Sequence, residues 1–338
     1  SLEYGKPHPR PLTMADSGEG EDSIERATKI LSDDLLEEWL KVATDRRMGA
    51  LLEAFRRGMT VEEVRGITSI TRWFLSKFEN LIKSENMIVN SKCKPNELDP
   101  ENLLKWKALG FSDAYIADAL SGFPVNGWQS LPDDMNENAV MLARHNNSIH
   151  PCYRMVDSCA AEFAAVTPYY YSTYEGGNHE GIDYVTSARK QNSSGKQVKR
   201  IVVIGSGPIR IGQGIEFDYG CVHAVKAIRE MGHEAIIVNN NPETVSTDFD
   251  TSDRLYFDPL TLECVCEILL REGADGLLLQ FGGQTAINLA LPVNSKLDHL
   301  KKMGAKTQLI GTTPDAIDEA SDRERFEDFA RENNLRMP

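Results

Sequence analysis

Positive charge is in short supply in this sequence. Lysine and arginine together number 37 against 51 aspartates and glutamates, which leaves a net charge of −14 over 338 residues. Binding to nucleic acid or to an anionic membrane draws on a basic surface, so this balance argues against both as partners. The acidic surplus is the ordinary means by which a protein stays solvated.

Long apolar runs and cysteine pairs are also missing. No apolar run approaches the ~20 residues that span a membrane, and the proline-rich residues 1–12 contain no signal-peptide core. The six cysteines are scattered and form no CxxC motif. Buried thiols in a reducing, cytoplasmic compartment fit this pattern better than disulfides or zinc ligands. His145 and His150 lie near no second ligand set in the sequence, so we predict no metal site.

A β-branched run at residues 200–204 predicts a buried strand of the kind found inside parallel sheets. It leads into a glycine-rich loop, and a helical apolar pattern follows from Ile215 to Met231. This succession is typical of the first step of a βαβ unit, in which glycines keep side chains clear of a ligand at the helix N-terminus. Glycines that only let the helix pack closely on the strand remain the structural alternative.

A nicotinamide-binding Rossmann domain is the first ligand class to weigh. Gly205 and Gly207 begin a GxGxxG fingerprint, but Arg210 occupies the third glycine position. Asparagines at 239–241 stand where an acidic residue would bind the ribose. Both supporting features are missing, so an oxidoreductase of this type is disfavoured.

Four loops are predicted to meet at one edge of the sheet, because open α/β sheets place ligands at the carboxyl ends of their strands. These loops follow four of five predicted strands and cover residues 205–214, 239–244, 281–285 and 311–313. Their side chains supply amide donors without formal charge, which suits an anionic or carbonyl-rich small molecule. The candidate residues of this crevice are Gly205, Gly207, Gly212, Asn241, Thr244, Gly282, Gly283, Gln284 and Thr312.

The first half of the chain is predicted to be helical. Thr60 and Glu63 have the spacing of a capping box, and a stripe that includes Trp73 and Phe74 is expected in a helical core. The predicted organisation is a disordered tail over 1–27, a helical domain over 28–178, a linker over 179–199, an α/β domain over 200–322 and the start of a further domain over 323–338.

Several consecutive motifs resemble the large subunit of glutamine-dependent carbamoyl-phosphate synthetase. They are GxGPxxIGQGxEFDY from Gly205 and the segments 238–248, 251–257, 280–285 and 310–318. Residues 243–246 are similar to the second of that subunit's two homologous synthetase halves. Residues 48–75 and 149–163 resemble the oligomerisation domain between the halves, whereas 121–140 matches less well, as an insertion would.

The resemblance implies an α plus α/β fold. An all-helical oligomerisation domain would precede a doubly wound parallel-sheet domain, which is similar to the N-terminal domain of biotin carboxylase and precedes an ATP-grasp fold. The implied enzyme is an ATP-dependent C–N ligase that makes carbamoyl phosphate from bicarbonate, glutamine-derived ammonia and two ATP, for pyrimidine or arginine biosynthesis. ATP and magnesium are the implied cofactors of the full-length enzyme. The implied partners are a glutaminase subunit or fused glutaminase domain, with self-association through the helical domain.

Residue by residue, the resemblance places Gly214 in a turn that lines a carbamate tunnel. Glu216 and Glu243 match glutamates near the exit of the tunnel into the second active site, and Arg323 matches an arginine that touches nucleotide. No catalytic residue and no metal ligand is carried over. Because the family's ATP-grasp domain starts near Phe326, we expect a fragment that is inactive alone and holds no tightly bound cofactor. The alternative is a non-catalytic small-molecule-binding or assembly module.

Overall fold

The computed structural model describes residues 10–13, 31–124, 131–157, 159, 162–163, 167–176, 197–208 and 214–336. The chain divides into two compact units, Ser1–His150 and Pro151–Pro338. Helices and a largely parallel sheet are both present, which confirms the α/β class. None of the helices in the described parts of the chain combines the length and the hydrophobicity that a membrane span requires. The expected tail at 1–27 falls almost entirely outside these residues, as do positions 179–196 of the expected linker.

Helices build the described part of the first unit. They are α1 (Asp33–Lys41), α2 (Arg47–Arg56), α3 (Val61–Thr68), α4 (Arg72–Ser91), α5 (Pro100–Ala108), α6 (Asp113–Leu120) and α7 (Glu137–Asn146). Ser32, Asp99 and Ser112 cap α1, α5 and α6 by accepting hydrogen bonds from first-turn N–H groups. The predicted capping box is confirmed, because Thr60 and Glu63 each bind the other's backbone N–H at the start of α3.

The buried face of α4 corrects one expectation. Trp73 and Phe74 are 63% and 55% exposed, so they are not core residues. The buried positions of α4 include Leu75, Ile82 and Ile88. An α-helix turns by about 100° per residue, so the two residues before Leu75 point away from the face that Leu75 buries.

A buried charge cluster joins α5, α6 and α7. The Asp113 carboxylate, at the first residue of α6, accepts from Lys107 Nζ at 2.9 Å and from Arg144 Nη2 at 3.0 Å. Arg144 also donates to the Ile149 carbonyl at 3.0 Å. Burial alone would raise the pKa of Asp113, but the two cations outweigh it and hold that pKa below its ordinary value. The ionised carboxylate therefore ties three helices together.

The second unit contains a seven-stranded sheet within the described residues, in the order β1-β2-β5-β4-β3-β6-β7. Its strands are β1 (Cys152–Met155), β2 (Tyr169–Thr173), β3 (Arg200–Ile204), β4 (Glu234–Val238), β5 (Arg254–Tyr256), β6 (Gly276–Leu278) and β7 (Gln308–Leu309). Only β1 and β2 pair in antiparallel fashion, and the other neighbours are parallel. All five strands predicted for the α/β domain are found.

The hairpin of β1 and β2 lies in the second unit. Both strands fall inside the predicted helical domain of 28–178, yet they extend the sheet of the second unit. The carbonyls of Pro168 and Tyr170 accept from the N–H groups of Leu255 and Phe257. The tyrosines of β2 favour extended backbone, and β5 offers an edge on which that backbone is hydrogen-bonded.

Alternate side chains of the central strands enter two cores on opposite faces of the sheet. Ile201 and Val203 of β3 pack with residues of α8, whereas Val202 and Ile204 pack with residues of α9 and α11. The strand reads as a continuous apolar run because both of its faces are buried. The helices of this unit are α8 (Glu216–Glu230), α9 (Leu262–Glu272), α10 (Gly283–Ile287), α11 (Ala290–Lys302), α12 (Pro314–Ser321) and α13 (Arg323–Glu332), with a 3-10 turn at Val245–Thr247.

A second buried charge cluster closes the amino edge of this sheet. Glu272, the last residue of α9, accepts from Arg254 Nε and Nη2 at 2.9 Å each. The Tyr256 hydroxyl donates to the same carboxylate, and Arg254 also donates to Glu234 at 2.9 Å. The cluster therefore joins α9 to the neighbouring strands β4 and β5.

Candidate functional site

The carboxyl ends of the parallel strands bring four loops to one edge of the sheet. The chain steps from β3 to β4 and β5 on one side, and then crosses to β6 and β7 on the other side of β3. The loops after β3 and β6 therefore leave in opposite directions, and such a switch point opens a crevice outside the strand ends. The loops after β3, β4, β6 and β7 are the four for which the sequence predicts convergence.

The loops after β3 and β6 meet backbone against backbone. A Cβ atom on Gly282 would lie 2.5 Å from the carbonyl oxygens of both Ile204 and Gly205, closer than real Cβ atoms approach. Gly283, the first residue of α10, lies against the ring of Phe217, where a Cβ would come within 2.9 Å. This close approach requires glycine whether or not a ligand is bound.

Asn239, which directly follows β4, fastens the loop after β3 to the loop after β4. Its side chain is fully buried, and its Oδ1 accepts from Gly207 N–H at 3.1 Å and from Asn241 N–H at 3.3 Å. A Cβ on Gly205 would lie only 2.6 Å from Asn239 Cγ. Gly207 has φ +70°, in the left-handed region that favours glycine. Gly205 thus makes room for the buried amide, and Gly207 supplies the turn whose N–H binds it.

Asn241 and Thr244 order the remainder of the β4 loop. Asn241 Oδ1 accepts from Glu243 N–H at 3.0 Å, and Asn241 Nδ2 donates to the Gly207 carbonyl at 3.4 Å. The Thr244 hydroxyl lies 3.2 Å from Ser246 Oγ. Glu243 is exposed, so its backbone is held while its carboxylate faces solvent.

Two acidic residues at the start of α8 differ in their surroundings. Asp218 is 3% exposed, and its two carboxylate oxygens lie 3.3 and 3.2 Å from the N–H of Ser246. Glu216 is exposed, and its carboxylate accepts from Gly214 N–H at 3.1 Å. Hydrogen bonds from its own backbone amide and from Gly214 hold the pKa of Glu216 below its ordinary value. Glu216 is therefore ionised near neutral pH and poorly suited to be a general base.

The β6 and β7 loops meet at Gln280, the residue that precedes the turn into α10. A Cβ on Gly311 would overlap the Gln280 amide, which places the two loops in direct contact. Thr312, next to Gly311, is exposed at this edge. Contacts between successive loops therefore link Gly205, Gly207, Asn241, Gly282 and Gly311, which precedes Thr312.

Other predicted site residues have local partners. Gln284 Nε2 donates to Asn288 Oδ1 at 2.6 Å, one turn further on. The Arg323 side chain is 92% exposed and pairs with Glu327 of its own helix at 3.2 Å. Gly212 lies outside the described residues. The predictions of a tunnel role for Gly214, Glu216 and Glu243, and of a nucleotide role for Arg323, stay predictions.

Asn239 and Asp218 are the residues that sequence reasoning passed over. In the sequence, Asn239 stands out only as one of the asparagines at 239–241, and nothing distinguishes Asp218. A polar residue at the end of an apolar strand, next in the sheet to a Gly-x-Gly turn, is the signal that could have singled out Asn239. The hydrogen-bond partners of Asn239 depend on the order of the strands in the sheet, which cannot be read from the sequence.

The strand order and the crevice define an open, parallel α/β domain of the class that receives a small ligand at the switch point of its sheet. Two family models match separate parts of the chain. Residues 12–145 match the model described as the oligomerisation domain of the carbamoyl-phosphate synthetase large chain, and residues 197–319 match the preATP-grasp domain of carbamoyl phosphate synthase. The chain belongs to the carbamoyl-phosphate synthase large-chain family.

Proteins named carbamoyl phosphate synthase large chain are similar to most of the chain. That of Methanothrix thermoacetophila is 44% identical over 91% of this chain, and that of Methanosphaerula palustris is 47% identical over 85%. That of Methanosarcina mazei is 44% identical over 88% of this chain. The chain spans about a quarter of the length of these relatives, with 25%, 23% and 25% of each covered.

Proposed function

We propose that this chain supplies two domains of a glutamine-dependent carbamoyl-phosphate synthase. One is an all-helical oligomerisation domain, and the other is the doubly wound domain that opens the second, carbamoyl phosphate-forming half. The whole enzyme is then an ATP-dependent C–N ligase that uses bicarbonate, glutamine-derived ammonia, magnesium and two ATP. The observation that carries the proposal is the agreement of both parts of the chain, in order, with domains of that enzyme.

The same proposal assigns the setting of the enzyme. It works in the cytoplasm, in pyrimidine or arginine biosynthesis, with a glutaminase subunit or a fused glutaminase domain as the source of ammonia. Self-association runs through the helical domain. Arg323 approaches the nucleotide at the entrance of the ATP-grasp fold, and this chain holds no tightly bound cofactor by itself.

Gly214, Glu216 and Glu243 are the proposed lining of the carbamate passage. Gly214 and Glu216 are joined by a hydrogen bond, and the exposed Glu243 lies on the loop that Asp218 of the same helix holds. An ionised carboxylate disfavours an anion that rests beside it. A passage lined by Glu216 and Glu243 therefore conducts carbamate rather than retaining it.

A chimaera tests this proposal. Residues 200–322 replace the matching domain in the large chain of Methanothrix thermoacetophila, and carbamoyl phosphate formed is measured against ATP consumed, with glutamine and bicarbonate present. We expect the chimaera to be active and Gly214→Leu to lower the ratio of product to ATP, because a side chain obstructs a narrow passage. The clash of that side chain with the flexible tip of Glu216 is easily relieved.

Gly220→Ala is the matched control, because its Cβ would meet Phe281 at 3.5 Å, an ordinary contact, and lies on α8 away from the turn. It should leave the ratio of product to ATP unchanged. A folded but inactive chimaera, or a Gly214→Leu chimaera with an unaltered ratio, would contradict the proposal.

The second candidate function is a non-catalytic assembly or small-molecule-binding module. The match of residues 12–145 to an oligomerisation domain favours it. Size-exclusion chromatography with light scattering on the purified chain tests the assembly role, for which we expect a species larger than 37.7 kDa. We expect no ATP-dependent carbamoyl phosphate formation by the chain alone, and measurable turnover would contradict that expectation.

A further inference from the structure

We propose that Asn239 and Asp218 are positioning residues that act together as a clamp on the crevice loops. The clamp fixes Glu243 and Gly207 with respect to Glu216. The inference rests on the proposed function only for the identity of the ligand that these residues face. Neither Asn239 nor Asp218 touches the space outside the loops, since they are 0% and 3% exposed. Their effect on a ligand is exerted through the backbone that they hold.

The Asn239 side chain reaches three separate segments of the crevice. Its Oδ1 accepts from the N–H groups of Gly207 and Asn241, and its Nδ2 donates to Ser246 Oγ at 3.3 Å. Its own backbone N–H donates to the Tyr256 carbonyl at 3.0 Å, which anchors it in the sheet. One amide on a rigid base therefore sets the loop after β3, the loop after β4 and the 3-10 turn.

Asp218 completes the clamp from the side of α8. Its buried carboxylate accepts from Ser246 N–H, and Ser246 also receives the hydrogen bond from Asn239. Glu216 lies two residues before Asp218 on α8, and Glu243 lies three residues before Ser246. The relative position of the two exposed glutamates thus depends on a hydrogen-bonded path with no solvent-exposed member. Such buried networks fix geometry when every member is satisfied.

Gly205 fits the same arrangement from the opposite direction. A Cβ at this position would lie 2.6–2.8 Å from the Cγ, Nδ2 and Cβ atoms of Asn239. Gly205→Ala therefore pushes the amide away without deleting it. This gives an independent way to open the clamp.

The test combines amide hydrogen exchange of the 338-residue chain with the ratio of carbamoyl phosphate formed to ATP consumed by the chimaera. Asn239→Leu, which keeps the side-chain shape and loses the hydrogen bonds, should speed exchange of the Gly207 and Asn241 amides by about tenfold. It should also lower the product-to-ATP ratio. Asn239→Asp keeps an acceptor oxygen for both amides and should restore slow exchange. Gly205→Ala should reproduce the effects of Asn239→Leu, and it replaces that variant if it fails to fold.

Thr307→Val is the matched control, because Thr307 is 1% exposed and its hydroxyl donates to the Ala274 carbonyl at 2.8 Å, at the amino edge of the sheet. It removes a comparable buried hydrogen bond and should alter neither the two amides nor the ratio. Equal exchange at Gly207 and Asn241 in the Asn239→Leu and Thr307→Val chains overturns the clamp. Because exchange needs no ligand, that result is distinct from an inactive chimaera, which overturns the proposed function.

Discussion

Gly282→Ala offers a sharp test of how the crevice is built. The added Cβ would lie 2.5 Å from two carbonyl oxygens, those of Ile204 and Gly205, and 2.7 Å from Ala286 Cβ. Two of these atoms belong to backbone at the end of the central strand, so they cannot swing aside as a flexible side chain would. Overpacking of a core costs ~1–3 kcal/mol, and a clash with backbone places this substitution near ~3 kcal/mol of unfolding free energy.

Gly220→Ala provides the opposite expectation in the same unit. The Cβ would meet Phe281 at 3.5–3.8 Å, which is ordinary van der Waals contact, in the interior of α8. A glycine within a helix is destabilising by roughly 0.5–1 kcal/mol relative to alanine. We therefore expect Gly220→Ala to stabilise the second unit by about that amount.

Urea unfolding with two probes separates the units. The four tryptophans, at positions 39, 73, 106 and 128, all precede His150, so tryptophan fluorescence follows the first unit, whereas far-ultraviolet circular dichroism follows both. Gly282→Ala should shift only the transition that fluorescence does not detect. If Gly282→Ala unfolds at the same urea concentration as the wild-type chain, the reasoning from close loop packing is refuted.

Four further predictions concern stability. Asp113→Ala should lower the unfolding free energy of the first unit by ~3–5 kcal/mol, because two buried cations lose their shared carboxylate; an unmoved fluorescence transition in urea would contradict this. Folding lowers the pKa of Asp113, so the contribution of its carboxylate to the unfolding free energy is present above the unfolded pKa, about 3.9, and is lost as the pH falls through the folded pKa. The difference in unfolding free energy between the wild-type and Asp113→Asn chains should therefore close below about pH 4. Thr60→Ala removes the capping box with Glu63 and should cost ~1 kcal/mol, read from the same transition, with Ser76→Ala at a half-buried position inside α4 as a near-neutral control. Tyr256→Phe leaves the buried Glu272 carboxylate one donor short and should cost about 1.5–3 kcal/mol by circular dichroism; a change under ~0.5 kcal/mol would show the hydroxyl to be dispensable.

The parts of the fold that follow from local pattern could be predicted from the sequence. Residues 200–204 form the expected buried strand, because a β-branched run satisfies both faces of a parallel sheet. The capping box at Thr60 could be predicted equally well, since it depends on residues only three positions apart. The convergence of the loops followed from the rule that parallel strands end at a common edge.

The features that depend on partners distant in the chain could not be predicted in the same way. Trp73 and Phe74 are large apolar residues of the kind found in cores. The helices that pack against α4 decide which of its faces is buried, however, and that face does not include these two residues. The tyrosines near 170 favour extended backbone by their own propensity, yet their place in the sheet depends on an edge at β5, some 85 residues later. Asn239 gained its importance only when Gly207 and Ser246 were brought beside it.

The hairpin of β1 and β2 has a practical consequence for anyone who divides this chain. A piece cut at the polar stretch near residue 180 would leave behind the strand whose carbonyls bind the Leu255 and Phe257 amides. The uncovered edge of β5 would then be available to pair with another molecule. Aggregation would be caused by the excision rather than by instability of the α/β domain. A dissection that starts at Pro151 keeps that flank covered.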